Sequence, residues 1–438
     1  MSLNRILCRW SDETPDITTF TKTLHPEWIE EALNSTGTAT IRSRKLPAEK
    51  VVWLVIGMAL FTDRSIKNVV EHLKLAMSAT MAASALTQAR RRLTSSPLRW
   101  LFERVALAWN CVGEVKWRGL SLYGVDGCHQ RIDDSKENHE HFGRPGGRAP
   151  SGYPQARYVA LMNLTTRLLA AAEIGKWCEG EVTLAERLWP KIPDNSLTIV
   201  DRGFLIFNIF HQILSEGKDR HFLCRAKSNT KFQIAHEFPD GSVLARIGVS
   251  SAARKQNPEL PRHLTVRVIA YHHPGGVPGL LITSLLNYEK YPSSEIVAIY
   301  HKRWELEVGF DEVKTHMLRR REALRSKTPE GVYQEFWGVM LAYNLVRREM
   351  LLVARRQKVA PNRISFTGCL LLIQNFFLAS PMAAPGKIPK FLADLDEDIA
   401  ALELPLRRSE RRFPRQVKIK MSNYLKAPMR HAAVALIA

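Results

Sequence analysis

Hydrophobic positions fall into two rhythms along this chain. From Pro26 to about Trp117 they recur at helical spacing in short blocks, each opened by a proline or a capping residue. Pro26 opens a segment through Asn34, Pro47 opens the run carrying Val51, Val52, Leu54 and Val55, and Asp63 with Ser65 precedes Ile66 to Leu75. Ser84 to Leu93 follows, and Pro97 restarts helix with Leu98, Leu101 and Val105. The densest apolar stretch, Val51 to Phe61, is about half the length that crosses a bilayer and is bounded by Glu49, Lys50 and Asp63, so it reads as a buried helix.

Around Gly119 the pattern changes to short strands. Leu120 to Val125 is an apolar run closed by Asp126-Gly127, and Arg131 to Gly147 is polar enough to read as a loop or ragged hairpin. Arg157 to Leu164 and Thr166 to Ala172 then pair as strands, Glu181 to Trp189 is helical, and Leu197 to Val200 is a strand closed by Asp201-Arg202-Gly203. Helix returns at Phe204 to Leu214 and strand at His221 to Ala226. Val243 to Ile247, Leu264 to Tyr271 and Gly279 to Leu286 are three further strands with glycine-marked turns. Glu289 to Met317 is mainly helix, interrupted near Pro292, and a second long helix runs from Glu330 to Leu351 after Pro329.

This order predicts an α/β protein with a mixed sheet. The expected parts are a helical DNA-binding domain at 1–118, the first part of an α/β core at 119–227, a β-rich insertion at 228–288, the second part of the core at 289–385 and a basic region at 386–438.

Charge narrows the partner. Lys and Arg number 63 against 43 Asp and Glu, a formal net charge of +20, which favours a polyanion. Arg90, Arg91 and Arg92 end one N-terminal helix, which makes them candidate DNA contacts, while the same cations also suit a helix C-terminus. The tail from Arg407 to Arg430 is rich in Arg and Lys with Glu410 as its one acid. The six cysteines lack metal-ligand spacing and read as free thiols in a reducing compartment. No secretory leader is evident, so a cytoplasmic location and no membrane partner are expected.

The candidate chemistry lies in three carboxylates. Asp126 and Asp201 each end a short apolar strand, where the sheet holds a side chain rigidly at the crevice in which ligands bind. Tyr300, Arg303, Glu307 and Lys314 share a helical face within about 20° per seven residues, so one carboxylate stands among cations. Glu305 and Glu312 fall on other faces of that helix. Hard oxygen ligands of this kind suit Mg²⁺. Taken singly, a strand-end Asp is more often a turn or cap residue, and most helix carboxylates are solvated.

The run from Tyr300 through Arg303 and Glu307 to Lys314 resembles the Tyr-x2-Arg-x3-Glu-x6-Lys signature of bacterial insertion-sequence transposases, specifically the fourth insertion-sequence family. Asp126-Gly127, the block from Ile199 to Phe204, Leu324 to Glu330 leading to Ala342-Tyr343-Asn344, and His25 to Ile66 extend the likeness over roughly residues 20 to 425. The resemblance implies a ribonuclease H-like core with an Asp-Asp-Glu triad at Asp126, Asp201 and Glu307, which would be both catalytic and metal-binding. It implies two Mg²⁺ ions, with Mn²⁺ as substitute, and transposon-end phosphates held by Tyr300, Arg303 and Lys314. The expected partners are double-stranded DNA at terminal inverted repeats, target DNA, and a second copy in a synaptic homodimer, within a bacterial nucleoid. The expected activity is end cleavage and strand transfer, commonly through a hairpin.

The chain departs from the family at two places. Gly127 is followed by Cys128 where the family often has threonine, and Asp133 and Asp134 lie close by in a loop. No tryptophan lies between Asp201 and Tyr300, so a flipped base would need another platform, for which Tyr271 or His272 are the candidates. Two alternatives stay open on sequence: a metal-dependent nuclease or resolvase without strand transfer, and a non-catalytic DNA-binding regulator.

Overall fold

A computed structural model describes residues 24–39, 46–73, 75, 81–110, 112–146, 152–272, 278–319, 323–379 and 388–406. The basic tail from Arg407 onward lies outside the described residues.

Five helices come first: α1 (Pro26–Ser35), α2 (Ala48–Leu60), α3 (Ile66–His72), α4 (Ala83–Leu93) and α5 (Ser96–Trp109). The apolar run expected to be buried is α2, whose residues from Val51 to Leu60 are covered on every side. It packs against α12 (Pro329–Gln357), where Gly338 lets the two backbones approach: a Cβ there would stand 2.6 Å from Val55. Burial of each Val, Leu or Ile side chain contributes about 1.5 to 3 kcal/mol, which ties the N-terminal helices to the rest of the molecule. No described helix is long and apolar enough to cross a membrane.

The sheet contains β1 (Ser121–Arg131), β2 (Gln155–Asn163), β3 (Leu169–Lys176), β4 (Ser196–Val200), β5 (Arg220–Arg225), β6 (Gln233–Glu237), β7 (Val243–Gly248), β8 (His263–His272) and β9 (Pro278–Thr283). Their order is β3-β2-β1-β4-β5-β9-β8-β7-β6. Strands β1, β4 and β5 are parallel, and β2 and β3 are antiparallel to their neighbours. This 3-2-1-4-5 order is the ribonuclease H-like core, as the sequence resemblance implied. Strands β6 to β9 join it edge to edge, because β9 pairs with β5 from Leu223↔Thr283 to Arg225↔Leu281.

Helices cover both sheet faces. On one side lie α10 (Ser293–His301), α11 (Trp304–Asp311), α12, α13 (Phe366–Ala379) and α14 (Ile388–Ala400), sharing a core with α1 to α5. On the other lie α7 (Glu181–Ala185) and α8 (Phe207–Ser215), packed around Trp189, Phe210 and Phe222. The short helices α6 (Lys136–Phe142) and α9 (Ser251–Gln256) complete the set.

Two details differ from the sequence expectation. Where Arg131 to Gly147 read as a loop or hairpin, α6 forms, because Ser135 accepts a hydrogen bond from the Asn138 backbone N–H and caps it. The expected helix from Glu289 to Met317 is three pieces. After Tyr300 the chain tightens to hydrogen bonds three residues apart (Lys302 to Ile299, Arg303 to Tyr300, Glu305 to Lys302), α11 begins at Trp304, and a π-helical turn spans Glu312–Met317.

Candidate active site

Strand register builds the first half of the site. The parallel pairing of β1 with β4 ends at Val125↔Val200, so Asp126 and Asp201 follow side by side as the two strands leave the ladder. Asp126 is the residue at which β1 loses β4 and continues with β2 alone. Asp201 leads into a single 3₁₀ turn, Arg202–Phe204, which closes with Phe204 N–H on the Asp201 carbonyl at 2.9 Å.

Helix α11 supplies the second half by lying directly on β1 and β2. Glycines at Gly124 and Gly309 make that approach possible, since a Cβ would stand 2.5 Å from Leu306 at the first and 2.4 Å from Met162 at the second. Leu306 is fully buried there, which turns Arg303 and Glu307 toward the strand end.

Arg303 joins the carboxylates. Its Nη2 lies 2.8 Å from Glu307 Oε1 and its Nη1 3.7 Å from Asp126 Oδ2. Burial works against its charge, yet Glu307, Tyr300, Asp126 and Asp201 together raise its pKa above the usual arginine value. Asp126 is raised to about 6, first by burial and further by Glu181 and Asp201, against the Gly127 N–H at 2.8 Å and Arg303. Two half-buried carboxylates brought side by side repel each other as anions and favour a cation between them.

The donor set is hard oxygen throughout, which fits a divalent metal of the Mg²⁺ type. Among the described residues no three His, Cys, Asp or Glu side chains stand close enough together to hold a metal ion. The guanidinium of Arg303 lies between two of the carboxylates and places positive charge beside them.

The other predicted residues are distributed unevenly. Tyr300 is buried, its hydroxyl pushed up to about 12 by burial and then by Tyr271. Tyr271 is itself buried, with its ring 5.6 Å from Tyr300 and the Arg225 guanidinium 5.9 Å above it, so a stacked base would have to displace a neighbour. The His272 side chain lies outside the described residues. Lys314 sits half-buried on the π turn, off the regular helical face. Arg91 and Arg92 are exposed, whereas Arg90 is 9% exposed and bonded to Gln334 (2.8 Å), Ser326 (2.9 Å) and Glu335 (3.2 Å). Asp133 and Asp134 flank the cap of α6, where Asp134 meets His139.

Sequence reasoning missed a buried charge network behind the site. Glu312, 4% exposed, accepts from Arg167 Nη1 (2.7 Å), Arg347 Nε (3.0 Å) and the Tyr343 hydroxyl (2.9 Å), and Arg167 Nε also reaches Glu305 at 2.6 Å. Arg167 adopts a left-handed backbone, φ 58°, to do so. The off-face positions of Glu305 and Glu312 were the one signal available.

Comparison with known proteins agrees with this architecture. A family profile described as insertion element 4 transposase N-terminal matches residues 14–103, and one described as transposase DDE domain matches residues 119–345. The chain is 35% identical over 436 residues, 98% of each chain, to the transposase InsG of insertion sequence element IS4 from Escherichia coli. It is 34% identical over 276 residues, 59% of this chain and 91% of the other, to the putative transposase InsZ of the same organism. A solved structure, a piggyBac transposase synaptic complex with hairpin DNA, aligns with a TM-score of 0.47 at 12% identity, covering 89% of this chain and 85% of that one. With a helical N-terminal region, a ribonuclease H-like sheet and both family profiles in register with them, the chain belongs to the IS4 family of DDE transposases.

Proposed function

We propose that this chain cuts DNA at the terminal inverted repeats of its own insertion sequence and joins the freed 3′-hydroxyl to target DNA, with Asp126, Asp201 and Glu307 as metal ligands. The observation that carries this reading is the adjacency of Asp126 and Asp201 beyond Val125↔Val200, with Glu307 tied to the same edge through Arg303. Two Mg²⁺ ions, or Mn²⁺ in their place, would supply activation of the attacking oxygen and stabilisation of the leaving oxygen at the scissile phosphodiester.

The chain's own residues then have separable tasks. Asp126 must shed its proton before it serves as a ligand, which its raised value of about 6 sets near neutral pH. Arg303 exchanges carboxylate for DNA phosphate, where a planar fork can make two parallel bonds. Tyr300 keeps its proton at neutral pH, so its hydroxyl donates rather than repels beside a phosphate. Lys314 adds a point charge from the π turn. The helices within 1–118, with Arg91 and Arg92 exposed, form a DNA-binding domain in this reading, and two copies of the chain bring two ends together.

The test is a duplex carrying the native terminal repeat, incubated with Mg²⁺ and wild-type or Glu307→Ala protein. Wild type is expected to give nicked ends and covalent joints, and the variant neither, with a loss of about a thousandfold or more. Cleavage without joints would make the chain a nuclease or resolvase. Binding without cleavage would make it a regulator, and cutting by Glu307→Ala at the wild-type rate would remove Glu307 from the site.

A further inference from the structure

Past Asp126 the sheet edge does not stop. Residues Asp126 to Arg131 of β1 run on beyond β4 paired with β2, from Asp126↔Ala160 to Arg131↔Gln155, and β2 pairs in turn with β3, so a three-stranded ribbon projects beyond the end of β4 that carries Asp201. On this ribbon His129 and Arg157 stand directly opposite each other. Arg157 Nε donates to His129 Nε2 at 3.1 Å, and Nη1 donates to the Glu179 carbonyl at 3.0 Å. The guanidinium lies 5.1 Å over the Trp177 ring, whose centroid is 4.7 Å from that of His129.

The result is an arginine held from three sides while its charge is left over. Among the described residues no carboxylate pairs with it: Glu179 turns its carboxylate to Arg187 at 2.7 Å and to the Lys176 N–H at 3.2 Å. Lys314 adds charge of the same sign, and burial together with Arg157 and Lys314 pushes His129 down to about 4. His129 is therefore neutral at pH 7 and accepts through Nε2, which fixes the direction of the Arg157 fork. Immobilising like charges without a counter-ion is unfavourable for the protein alone and favourable once an anion arrives.

We propose that Arg157, aimed by His129 and Trp177, is a further DNA contact that takes a backbone phosphate flanking the cleavage position. His129 lies three residues from Asp126 along β1, about 10 Å at roughly 3.3 Å per residue and on the opposite sheet face, the side of α7, so DNA that meets both passes around the projecting end of the sheet, over the rise of some three nucleotides. Arg157 stands on the sheet face away from α11, so this is a second anchor for DNA that rounds the end of the sheet carrying Asp126. The proposal rests on the reading of Asp126 as part of the active site.

The experiment measures binding of a terminal-repeat duplex, without divalent metal, over a range of salt concentrations. Arg157→Gln is expected to weaken binding about tenfold and to reduce the slope of log K against log salt by about 0.9, the loss of one phosphate contact, with an unchanged melting temperature. Arg157→Lys is expected to keep the slope while losing part of the affinity, since it retains the charge and loses the fork. Unchanged slope and affinity in a folded Arg157→Gln protein overturn the proposal. Should that variant not fold, phosphate-ethylation interference on the wild-type complex decides: a sensitive phosphate two to four nucleotides from the cleavage position supports the contact, and none there overturns it. Because binding is read without metal, an unchanged slope beside a cleavage-dead Glu307→Ala sinks this contact alone, whereas a changed slope beside an active Glu307→Ala sinks the active-site reading and leaves Arg157 a phosphate contact with no assigned place relative to the cut.

Discussion

Arg303 reaches Glu307 one turn along α11, Nη2 to Oε1 at 2.8 Å, with the second arm of the same guanidinium directed at Asp126. The carboxylates thus have a cation of the chain's own beside them. Replacing Arg303 with Gln should tighten Mn²⁺ binding in the absence of DNA, by about three- to tenfold, because a competing positive charge is gone. The same substitution should slow end cleavage by removing a phosphate contact. Calorimetric titration with Mn²⁺ measures the first effect, and weaker binding by the variant would rule out competition.

Asp126 makes stability depend on pH in the direction opposite to a salt-bridged acid. Its folded value of about 6 lies above the ordinary 3.8, so between those values the folded state holds a proton that the unfolded state has released. Stability contributed at this site therefore falls as pH rises from about 4 to 6 and stays low above 6. Asp126→Asn should stabilise the metal-free protein at pH 7 by roughly 1 to 3 kcal/mol and have no effect near pH 3.5. Denaturant melts of both proteins at the two pH values check this, and an equal gain at both would point to a cause other than ionisation.

Glu312 balances two buried arginines from the π turn that also carries Lys314. Removing one member of a buried ion network leaves uncompensated charge, so Glu312→Ala should destabilise by about 3 to 5 kcal/mol. Glu312→Gln keeps hydrogen-bonding capacity and should lose less. A thermal melt with Glu312→Ala within 1 °C of wild type would mean that water or another acid already neutralises Arg347.

Arg90 and its neighbours should separate cleanly in a substitution series. Arg90→Ala breaks the tie from α4 to α12 and should lower the melting temperature without changing the salt dependence of DNA binding. Arg91→Ala and Arg92→Ala should do the reverse. A changed salt slope for Arg90→Ala, in protein that melts normally, would show that Arg90 leaves its buried partners for phosphate.

Asp126 and Asp201 were legible in the sequence because each closes an apolar run, and the parallel register then sets them side by side. Glu307 stood out only through the resemblance of the Tyr300 to Lys314 run to the family signature, since by spacing alone it is one of several helix carboxylates. The break before α11 was not, since Arg303-Trp304-Glu305 has ordinary helix-forming character and what bends the chain there is tertiary: Leu306 entering the space above Gly124, and Glu305 and Glu312 drawn to Arg167 far upstream. Strand β6 was missed for a different reason. Its residues Gln233 to Glu237 are exposed throughout, so no alternation of burial marks them. The capped start of α6 was available in Ser135 and Asn138, but the surrounding charge concealed it.

The pairing of β9 with β5 has a consequence for how this protein can be dissected. Leu223 and Cys224 are fully buried in β5, whose outer backbone is covered only by β9 among the described residues. Excising 228–288 would turn an interior strand into a bare apolar rim with unpaired peptide groups, the template on which polypeptides assemble into aggregates. The segment that joins the sheet last in sequence order thus also covers the apolar edge of its core and moves the open edge out to the polar strand β6.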